Sequence, residues 1–357
     1  MRSTSRQPGC WYMARASYCK PWELKILAQG DLVLVTGATG FVGAAVARVL
    51  RGAGFRVRVT SRAGSNMRNL AGLSAEIVSL DLASPGSFAP ALAGCRYLFH
   101  VAADYRLWVP DVAAMRHVNI EGTVALLQEA AAAGVERSVY TSSVAALGLT
   151  TDGSPATEAT PVKPEHHVGA YKQSKYDAEQ AVRALAKAGQ NIVIVNPSTP
   201  VGPGDVKPTP TGQMILDAAR DKMPAYVDTG LNIVHVDDVA QGHLLALKKG
   251  TSGKAYILGG EDMMLRDLLA LIATQTGHKP PSLQLPIAPL MPIAWVMERI
   301  AEFTGKTPLM TPDILNMARK RMFFSSAKAR RELGYNPRPA ALAVGDALAW
   351  FRKEGML

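Results

Sequence analysis

Apolar residues occur in short continuous runs from residue 31 onward, and each run ends in glycine or in a polar cluster. The run LVLVTG at 32–37 has the length of a buried strand, and residues 41–54 have the spacing of a helix that ends at glycine. A second strand pattern follows at 56–62. A strand, a glycine turn, a helix and a second strand form a βαβ unit, which predicts a parallel sheet.

The same alternation continues to about residue 200. The further predicted strands are 76–81, 95–103, 138–143 and 191–198, and the helices between them include 118–134 and 171–189. Parallel strands that alternate with helices are typical of a doubly wound fold. We therefore predict an α/β protein built on a Rossmann doubly wound parallel sheet.

The alternation breaks after Pro197, where proline- and glycine-rich connections lead into shorter helices. We predict that residues 31–200 form the sheet domain and that residues 201–357 mainly form a smaller C-terminal lobe that binds the substrate. Part of that second range, about 230–260, is expected to return to the sheet domain. Residues 1–30 have no period and are interpreted as a disordered or docked extension, with Met13 as an alternative start.

The composition is that of a folded protein, with 48% hydrophobic and 19% charged residues in 357. The net charge is +10, and residues 1–30 hold five basic residues and one acidic residue. No basic run is interleaved with aromatic residues as a nucleic-acid groove requires, so we expect no nucleic-acid partner. The extension lacks the apolar stretch of an export signal, and the three cysteines suit a reducing compartment, so we expect a cytoplasmic protein.

One uncharged run stands out, from Pro280 to Met297. It has nearly the length of a membrane span, but it contains five prolines, so a transmembrane helix is not expected. We expect its part from Leu283 to Met297 to pack in the core of the lobe. The alternatives are a wall of the substrate pocket and a contact with a membrane surface.

Gly37, Gly40 and Gly43 form G-x-x-G-x-x-G between the first strand and its helix. The first lets the chain turn, the second lets backbone amides approach a pyrophosphate, and the third lets the helix pack closely on the strand. The pyrophosphate would then lie at the helix N-terminus, where Phe41 and Val42 begin the helix. We predict a dinucleotide site here, and the alternative is a tight turn without a ligand.

The end of the second strand bears on the choice of cofactor. The sequence TSR at 60–62 offers no carboxylate for a ribose 2′-hydroxyl. Arg62, with Arg68 six residues on, could instead bind a 2′-phosphate. We therefore favour NADP(H), with NAD(H) as the alternative. Asp81 and Leu82 follow the third strand and are expected to contact the adenine, or Asp81 caps a helix.

Tyr171 and Lys175 lie four residues apart in a predicted helix and therefore share one of its faces. A tyrosine is a poor base at neutral pH, but a nearby ammonium group lowers its pKa, so the pair could move a proton at a substrate oxygen. We also expect Lys175 to bond the nicotinamide ribose. Ser142 and Ser143 end a predicted strand, where a hydroxyl could bond the same oxygen. The spacing Y-x-x-x-K alone is usually a solvated helix face, and the glycine loop and the serines make it specific.

From residue 31 onward the chain resembles the extended (atypical) short-chain dehydrogenase/reductase superfamily. The resemblance is carried by TGATGFVG, DL at 81, HVAA at 100–103, N-x-x-GT at 119–123, TSS at 141–143, YKQSK and NPSTPVGP. It implies that Ser143 is the catalytic hydroxyl. It also implies a cofactor-binding set of Val101, Ala102, Ala103, Asn119, Ser142, Pro197, Ser198 and Thr199. The sequence is most similar to hopanoid-associated sugar epimerases, and less so to dihydroflavonol 4-reductases.

Two departures from the nucleotide-sugar members of this superfamily bear on the substrate. Leu231 and Val193 stand where those members usually have arginines, one of them a ligand of the substrate diphosphate. Each lost charge-assisted bond is worth roughly 1.5–3 kcal/mol, so we expect an apolar or uncharged hydroxyl or carbonyl substrate and not a nucleotide sugar. The expected substrate contacts are Tyr105, Arg106, Trp108, Asn196 and Asn232. For Tyr105 and Trp108 the alternative is packing.

The histidines do not predict a metal site. Neither His166-His167 nor His235 with His243 is accompanied by cysteines or carboxylates at ligand spacing, so we expect no metal. Asp237 is expected to cap the helix that follows it.

The hypothesis from the sequence is an NAD(P)-dependent oxidoreductase or epimerase that transfers a hydride at a hydroxyl or carbonyl carbon. An epimerase returns the hydride to the opposite face, whereas a reductase consumes the cofactor, and both outcomes stay open. A non-catalytic nicotinamide-sensing regulator is a further alternative, although such proteins typically lose the Tyr/Lys pair. A homodimer and a weak membrane-surface contact also stay open.

Overall fold

The computed structural model describes residues 30–163, 169–306, 308 and 310–357. The predicted extension at 1–30, except for its last residue, and the pair His166-His167 lie outside the described residues. None of the described helices is long and apolar enough to span a bilayer.

The strands are short and most follow the apolar runs of the sequence. In chain order they are β1 (Leu32–Thr36), β2 (Arg56–Ser61), β3 (Glu76–Ser79), β4 (Tyr97–His100), β5 (Arg137–Thr141), β6 (Ile192–Pro197), β7 (Thr199–Val201), β8 (Ala225–Tyr226), β9 (Gly230–His235), β10 (Ala255–Leu258), β11 (Glu261–Met264), β12 (Leu283–Gln284) and β13 (Arg321–Met322).

The helices between them are α1 (Phe41–Gly52), α2 (Phe88–Leu92), α3 (Val112–Arg116), α4 (Gly122–Ala132), α5 (Ala170–Lys187), α6 (Pro210–Ala219), α7 (Val236–Lys249), α8 (Leu265–Thr276), α9 (Leu290–Thr304), α10 (Pro312–Ala318), α11 (Ala327–Leu333) and α12 (Ala340–Lys353). A π-helical turn at His117–Glu121 joins α3 to α4.

The larger sheet has the strand order β3-β2-β1-β4-β5-β6-β10, and each neighbouring pair in it is parallel. The predicted fold class is thus confirmed. The chain runs from β1 to β2 and β3 on one side and then returns to β4 on the other. In a sheet of this kind ligands bind beyond the carboxyl ends of the strands, at the point where the order reverses. The segments after β1 and β4 meet at that point.

Helices cover both faces of the larger sheet, which explains why β1, β4 and β6 are buried on both faces and consist mainly of apolar residues. Because side chains alternate along a strand, Val33 and Val35 of β1 join the core beneath α1 and α7, whereas Leu34 joins the core beneath α4 and α5. The two cores hold β1, β4, β5 and β6 rigidly, and the candidate site lies at the ends of these strands.

The smaller lobe has its own sheet and its own core. In its sheet β9 pairs with β7, β11 and β13, and α6, α8 and α12 enclose a separate apolar core. Within the range about 230–260, α7 packs on the larger sheet and β10 pairs with β6, while β9 belongs to the smaller sheet.

The expectation of core packing for Leu283–Met297 is wrong. Leu283, Ile293, Trp295 and Val296 are all at least half exposed, and of the residues of α9 only Ala294 and Ala301 are buried. The reason is that α9 packs against α10 and leaves its outer face uncovered by the rest of the described chain.

Candidate active site

The glycine loop after β1 is packed against the segment after β4. Gly37 has a φ of +72°, and a Cβ atom there would come within 2.7 Å of the backbone nitrogen of Ala102. A Cβ atom on Gly43 would lie 2.2 Å from the carbonyl oxygen of Gly37. Gly40 is the N-cap residue of α1, whose first turn begins with Phe41 and Val42. The cradle therefore requires glycine and presents the N-terminus of α1, a geometry that fits a pyrophosphate.

Thr36 and His100 join the same two strands and were not identified from the sequence. The Thr36 hydroxyl accepts hydrogen bonds from the backbone nitrogens of Val101 and Ala102, both at 3.1 Å, and lies 2.8 Å from His100 Nδ1. Burial, with a smaller effect of Lys175, lowers the pKa of His100 to about 3, so its ring is neutral. We therefore assign the Thr36 proton to the bond with Nδ1. This arrangement holds the 101–103 segment beside the glycine loop.

Arg62 and Arg68 have different surroundings. Arg62 directly follows β2 and is exposed. Burial raises the pKa of Asp104, but the hydrogen bonds and charge of Arg106, with a smaller effect of the Arg62 charge, outweigh this and lower it. Arg68 instead forms an ion pair with Glu354, at the C-terminus of α12. Of the two predicted arginines, only Arg62 is left without a carboxylate within ion-pair distance among the described residues.

Asp81 and Leu82 lie after β3. The Asp81 carboxylate accepts a hydrogen bond from the backbone nitrogen of Ala83 at 3.1 Å, so it closes a turn and caps no helix. Leu82 is buried, and its carbonyl oxygen would lie 2.6 Å from a Cβ atom on Gly122.

Asn119 is buried in the π-helical turn and connects three parts of the site. Its side-chain oxygen accepts from the Asp104 backbone nitrogen at 2.7 Å, and its amide donates to the Asp104 carbonyl at 2.9 Å and to the Ser174 hydroxyl at 3.1 Å. The Ser174 hydroxyl donates in turn to the Tyr171 carbonyl at 2.8 Å. Asn119 thus fixes the chain after β4 relative to the first turn of α5.

Ser143 and Tyr171 are brought together although they are 28 residues apart. Ser143 follows β5, and its hydroxyl accepts from the backbone nitrogen of Ala145 at 3.1 Å. The Ser143 hydroxyl is also near enough to the Tyr171 side chain to act on its pKa. Burial raises the pKa of Tyr171, and the Ser143 hydroxyl opposes this shift, so the side chain is a neutral phenol at pH 7.

Lys175 lies one turn after Tyr171 and is buried. Its ammonium donates to the Thr141 carbonyl at 3.0 Å and to the Tyr140 hydroxyl at 3.3 Å, and lies 5.0 Å from the centre of the Tyr140 ring. Burial lowers the pKa of Lys175 to about 8, although the charge of Glu179 opposes this shift. The ammonium is thus held at the end of β5. The sequence analysis expected it to lower the pKa of Tyr171, but Lys175 is not among the groups that shift that pKa.

Glu179 was not identified from the sequence. It is buried and accepts hydrogen bonds from Ser142, Asn196 and Arg183. The sequence contained an indication of this role, because Glu179 continues the four-residue spacing of Tyr171 and Lys175. It therefore lies on the same face of α5, as does residue 183.

The end of β6 and the residue after it contain two buried polar atoms that lack a protein partner among the described residues. They are the side-chain oxygen of Asn196 and the hydroxyl of Ser198, and the described residues offer neither a hydrogen bond. The Asn196 amide donates to the Ser143 carbonyl at 2.9 Å and to Glu179 at 2.7 Å, which fixes its orientation. Pro197 ends β6 and Thr199 begins β7. A buried polar atom is costly when unpaired, so this segment suits a polar ligand group such as a carboxamide.

The predicted substrate contacts fall into two groups. Tyr105 is 47% exposed and is close enough to Tyr171 for its charge to affect the Tyr171 pKa, so it lies at the mouth of the site. Arg106 is ion-paired with Asp104, and Trp108 is half-buried. Asn232 is buried in β9 and donates both amide hydrogens internally, to Asp262 and to the Phe324 carbonyl, which does not support a substrate contact.

His235 and His243 both have internal partners. His235 caps α7 by accepting from the Asp237 backbone nitrogen at 3.0 Å, so the expectation that Asp237 is the cap is wrong. The residue that precedes the helix is the one whose side chain can reach back to its first free amides. His243 bonds the Thr141 hydroxyl at 2.9 Å and the Val239 carbonyl at 2.8 Å.

Known proteins resemble this chain over nearly its whole length. Residues 33–259 match the family model described as the NAD dependent epimerase/dehydratase family. The "Putative dihydroflavonol 4-reductase" of Synechocystis sp. is 45% identical over 333 residues, which cover 92% of this chain and 97% of that protein. The "Sterol demethylase protein B" of Methylococcus capsulatus is 36% identical over 326 residues, covering 91% and 99%. The crystal structure of gox2253 matches with a TM-score of 0.83 and 56% identity, covering 92% of this chain and 100% of that one.

Proposed function

Because the chain belongs to the NAD-dependent epimerase/dehydratase family, within the extended short-chain dehydrogenase/reductases, we propose that Ser143, Tyr171 and Lys175 catalyse hydride transfer at a hydroxyl or carbonyl carbon. The observation that carries this proposal is the proximity of the Ser143 hydroxyl to the Tyr171 side chain, beside the glycine cradle that fits a dinucleotide. The resident cofactor is a nicotinamide dinucleotide, and the backbone at 37–43, the 101–103 segment and Ser198 would hold it.

The three side chains have separate tasks in this proposal. The bound nicotinamide supplies or accepts a hydride. The neutral phenol of Tyr171 gives its proton to the carbonyl oxygen during reduction and regains a proton from solvent afterwards. Ser143 donates a hydrogen bond to the same oxygen and so fixes its distance from the phenol. Lys175, still mainly an ammonium at pH 7, would hold positive charge beside the nicotinamide ribose.

We favour net reduction of a ketone over epimerisation. Burial keeps Tyr171 in the protonated form that reduction needs, and the Synechocystis relative is named a reductase. The sequence resemblance to hopanoid-associated sugar epimerases supports the alternative, in which the hydride returns to the opposite face and no cofactor is consumed.

The proposed substrate is apolar or uncharged and not a nucleotide sugar. Val193 lies in the core and is inaccessible, and Leu231 has no group that could bind a phosphate. The names of the two relatives refer to a dihydroflavonol and a sterol, which are both uncharged polycyclic molecules.

NADP(H) is the proposed cofactor because Arg62, which follows β2 and is exposed, takes the place of the carboxylate that would bind a ribose 2′-hydroxyl. A 2′-phosphate would gain charge-assisted bonds there. Arg68 is excluded from this proposal because Glu354 already pairs with it.

We also propose that α9 contacts an anionic membrane surface. Ile293, Val296, Ile300 and Phe303 recur at helical spacing on one face, and Phe303 is 91% exposed. Between 290 and 321 the exposed charged residues are Arg299, Lys306, Arg319, Arg321 and Glu302, of which Arg299 and Glu302 form an ion pair, and the acids Glu298 and Asp313 are half-buried. This excess of positive charge favours anionic lipids as the occupant. Since α10 touches the N-terminus of α5 through Asp313 and Gly169, the contact would lie near the mouth of the site.

The test of the proposed reaction is NADPH consumption with dihydroquercetin and a sterol ketone as probe substrates. Stoichiometric loss of NADPH with formation of the alcohol supports net reduction. Isomerised substrate with no net change in NADPH supports the epimerase alternative. A Tyr171→Phe variant that converts a probe as fast as the wild type contradicts catalysis by Tyr171.

A further inference from the structure

Glu179 is a buried carboxylate at the centre of a hydrogen-bonded group of side chains. Its side chain is 2% exposed. One oxygen accepts from the Ser142 hydroxyl at 2.6 Å and from the Asn196 amide at 2.7 Å. The other oxygen accepts two bonds from Arg183, at 2.9 and 2.6 Å. Four charge-assisted hydrogen bonds on one buried carboxylate fix its position firmly.

The partners of Glu179 lead directly to Ser143. Ser142 directly precedes Ser143 in the chain, and the Asn196 amide also donates to the Ser143 carbonyl at 2.9 Å. Asn196 is therefore held between the Glu179 carboxylate and the Ser143 backbone. Glu179 itself does not contact Tyr171 or the Ser143 hydroxyl, so any effect on the reaction passes through these two residues and through charge.

The charge of Glu179 also acts on Lys175, one turn earlier on α5. Burial lowers the Lys175 pKa, and the Glu179 charge raises it in opposition. The other titratable groups that face the ammonium are Tyr140 on β5 and His100 on β4, in addition to Tyr171 on α5. His100 is neutral and both tyrosines stay protonated near pH 7, so among these groups Glu179 supplies the negative charge that raises the Lys175 pKa.

We propose that Glu179 is the positioning residue of this site, which aligns Ser143 through Ser142 and Asn196 and preserves the positive charge of Lys175. The proposal rests on the proposed function for its catalytic consequence. The predicted protonation state of Lys175 is independent of the proposed function, because it can be measured without turnover.

The test compares Glu179→Gln with Asp177→Asn. Gln keeps an oxygen that can accept from Ser142 and Asn196 but removes the charge and turns its NH2 group toward Arg183, so the melting temperature is measured to confirm that the variant is folded. Asp177 lies on the same helix and pairs with Arg116, away from the group around Glu179, which makes its variant a matched control. Glu179→Ala, which removes both the charge and the acceptors, is the more severe variant.

The first measurement is NMR titration of protein labelled at the lysine Cε, with the Lys175 signal identified by its absence in Lys175→Met. We expect the Lys175 pKa to fall by about one unit or more in Glu179→Gln and to stay unchanged in Asp177→Asn. An unchanged pKa in Glu179→Gln would overturn the electrostatic role, whatever the activity.

The second measurement is the pH profile of kcat and KM with the ketone that the wild type reduces. We expect the alkaline limb of the kcat profile to move to lower pH in Glu179→Gln, with the KM for NADPH within about threefold of wild type. In Glu179→Ala kcat should fall by roughly 10- to 100-fold. Wild-type kcat in both variants, while Tyr171→Phe is inactive, would refute positioning by Glu179 and leave the proposed function standing. If Tyr171→Phe is active, the proposed function fails, and the NMR result still decides the charge role.

Discussion

The backbone nitrogen of Ala102 lies so close to Gly37 that a Cβ atom on Gly37 would come within 2.7 Å of it. The turn after β1 and the chain after β4 are therefore in contact through backbone atoms, at the point where the strand order of the larger sheet reverses. No side chain can occupy this position without moving one of the two segments.

Gly37→Ala should consequently lose both stability and cofactor binding. The positive φ alone costs an alanine about 1–2 kcal/mol, and the clash with Ala102 adds to it. We expect a lower melting temperature and at least a tenfold weaker affinity for NADPH, measured by fluorescence titration. Gly52→Ala is the control, because nothing lies within 4 Å of a Cβ atom there. NADPH affinity at the wild-type level in Gly37→Ala would mean that the loop does not cradle the cofactor.

Arg62→Ala and Arg68→Ala should differ in their effect on cofactor choice. Loss of the Arg62 guanidinium should weaken NADPH binding by about 10- to 100-fold and leave NADH binding nearly unchanged, because only NADPH carries the 2′-phosphate. Arg68→Ala removes an ion pair with Glu354 at the surface and should leave the preference for NADPH intact. Equal affinities for NADPH and NADH in the wild type would contradict the assignment of Arg62.

Local patterns were sufficient to predict six of the seven strands of the larger sheet and the glycine loop. Residues 32–35 pack against cores on both faces of the sheet, so all four are apolar. The close approach at Gly37 leaves a mark in the sequence because only glycine fits there. The helix face shared by Tyr171 and Lys175 follows equally from spacing.

Contacts between distant segments were not predictable in this way. The Lys175 ammonium binds the end of β5, and Glu179 joins β5, β6 and α5, and neither arrangement is set by neighbours in sequence. The exposed face of α9 was mistaken for core because an apolar face looks the same in sequence whether or not another element covers it.

The proposed role of α9 can be tested with vesicles. Wild-type protein should sediment with vesicles of phosphatidylglycerol and phosphatidylcholine and much less with phosphatidylcholine alone. The double variant Ile300→Ser, Phe303→Ser should lower binding by about tenfold or more, since burial of each side chain is worth roughly 1.5–3 kcal/mol. Leu342→Ser on α12 is the matched control, with a residue 52% exposed. Sedimentation of the double variant at the wild-type level, or a dimer that only this double variant disrupts, would contradict a lipid occupant.

The most direct test of the account follows a deuterium atom through one turnover. NADPH deuterated at C4 on the transferred face is mixed with excess wild-type enzyme and the ketone, and the alcohol is analysed by mass spectrometry. The account predicts one deuterium at the carbinol carbon, and a rate at least about 100-fold lower in Tyr171→Phe, which cannot give the proton. A product without deuterium, or a Tyr171→Phe rate equal to that of the wild type, would contradict it.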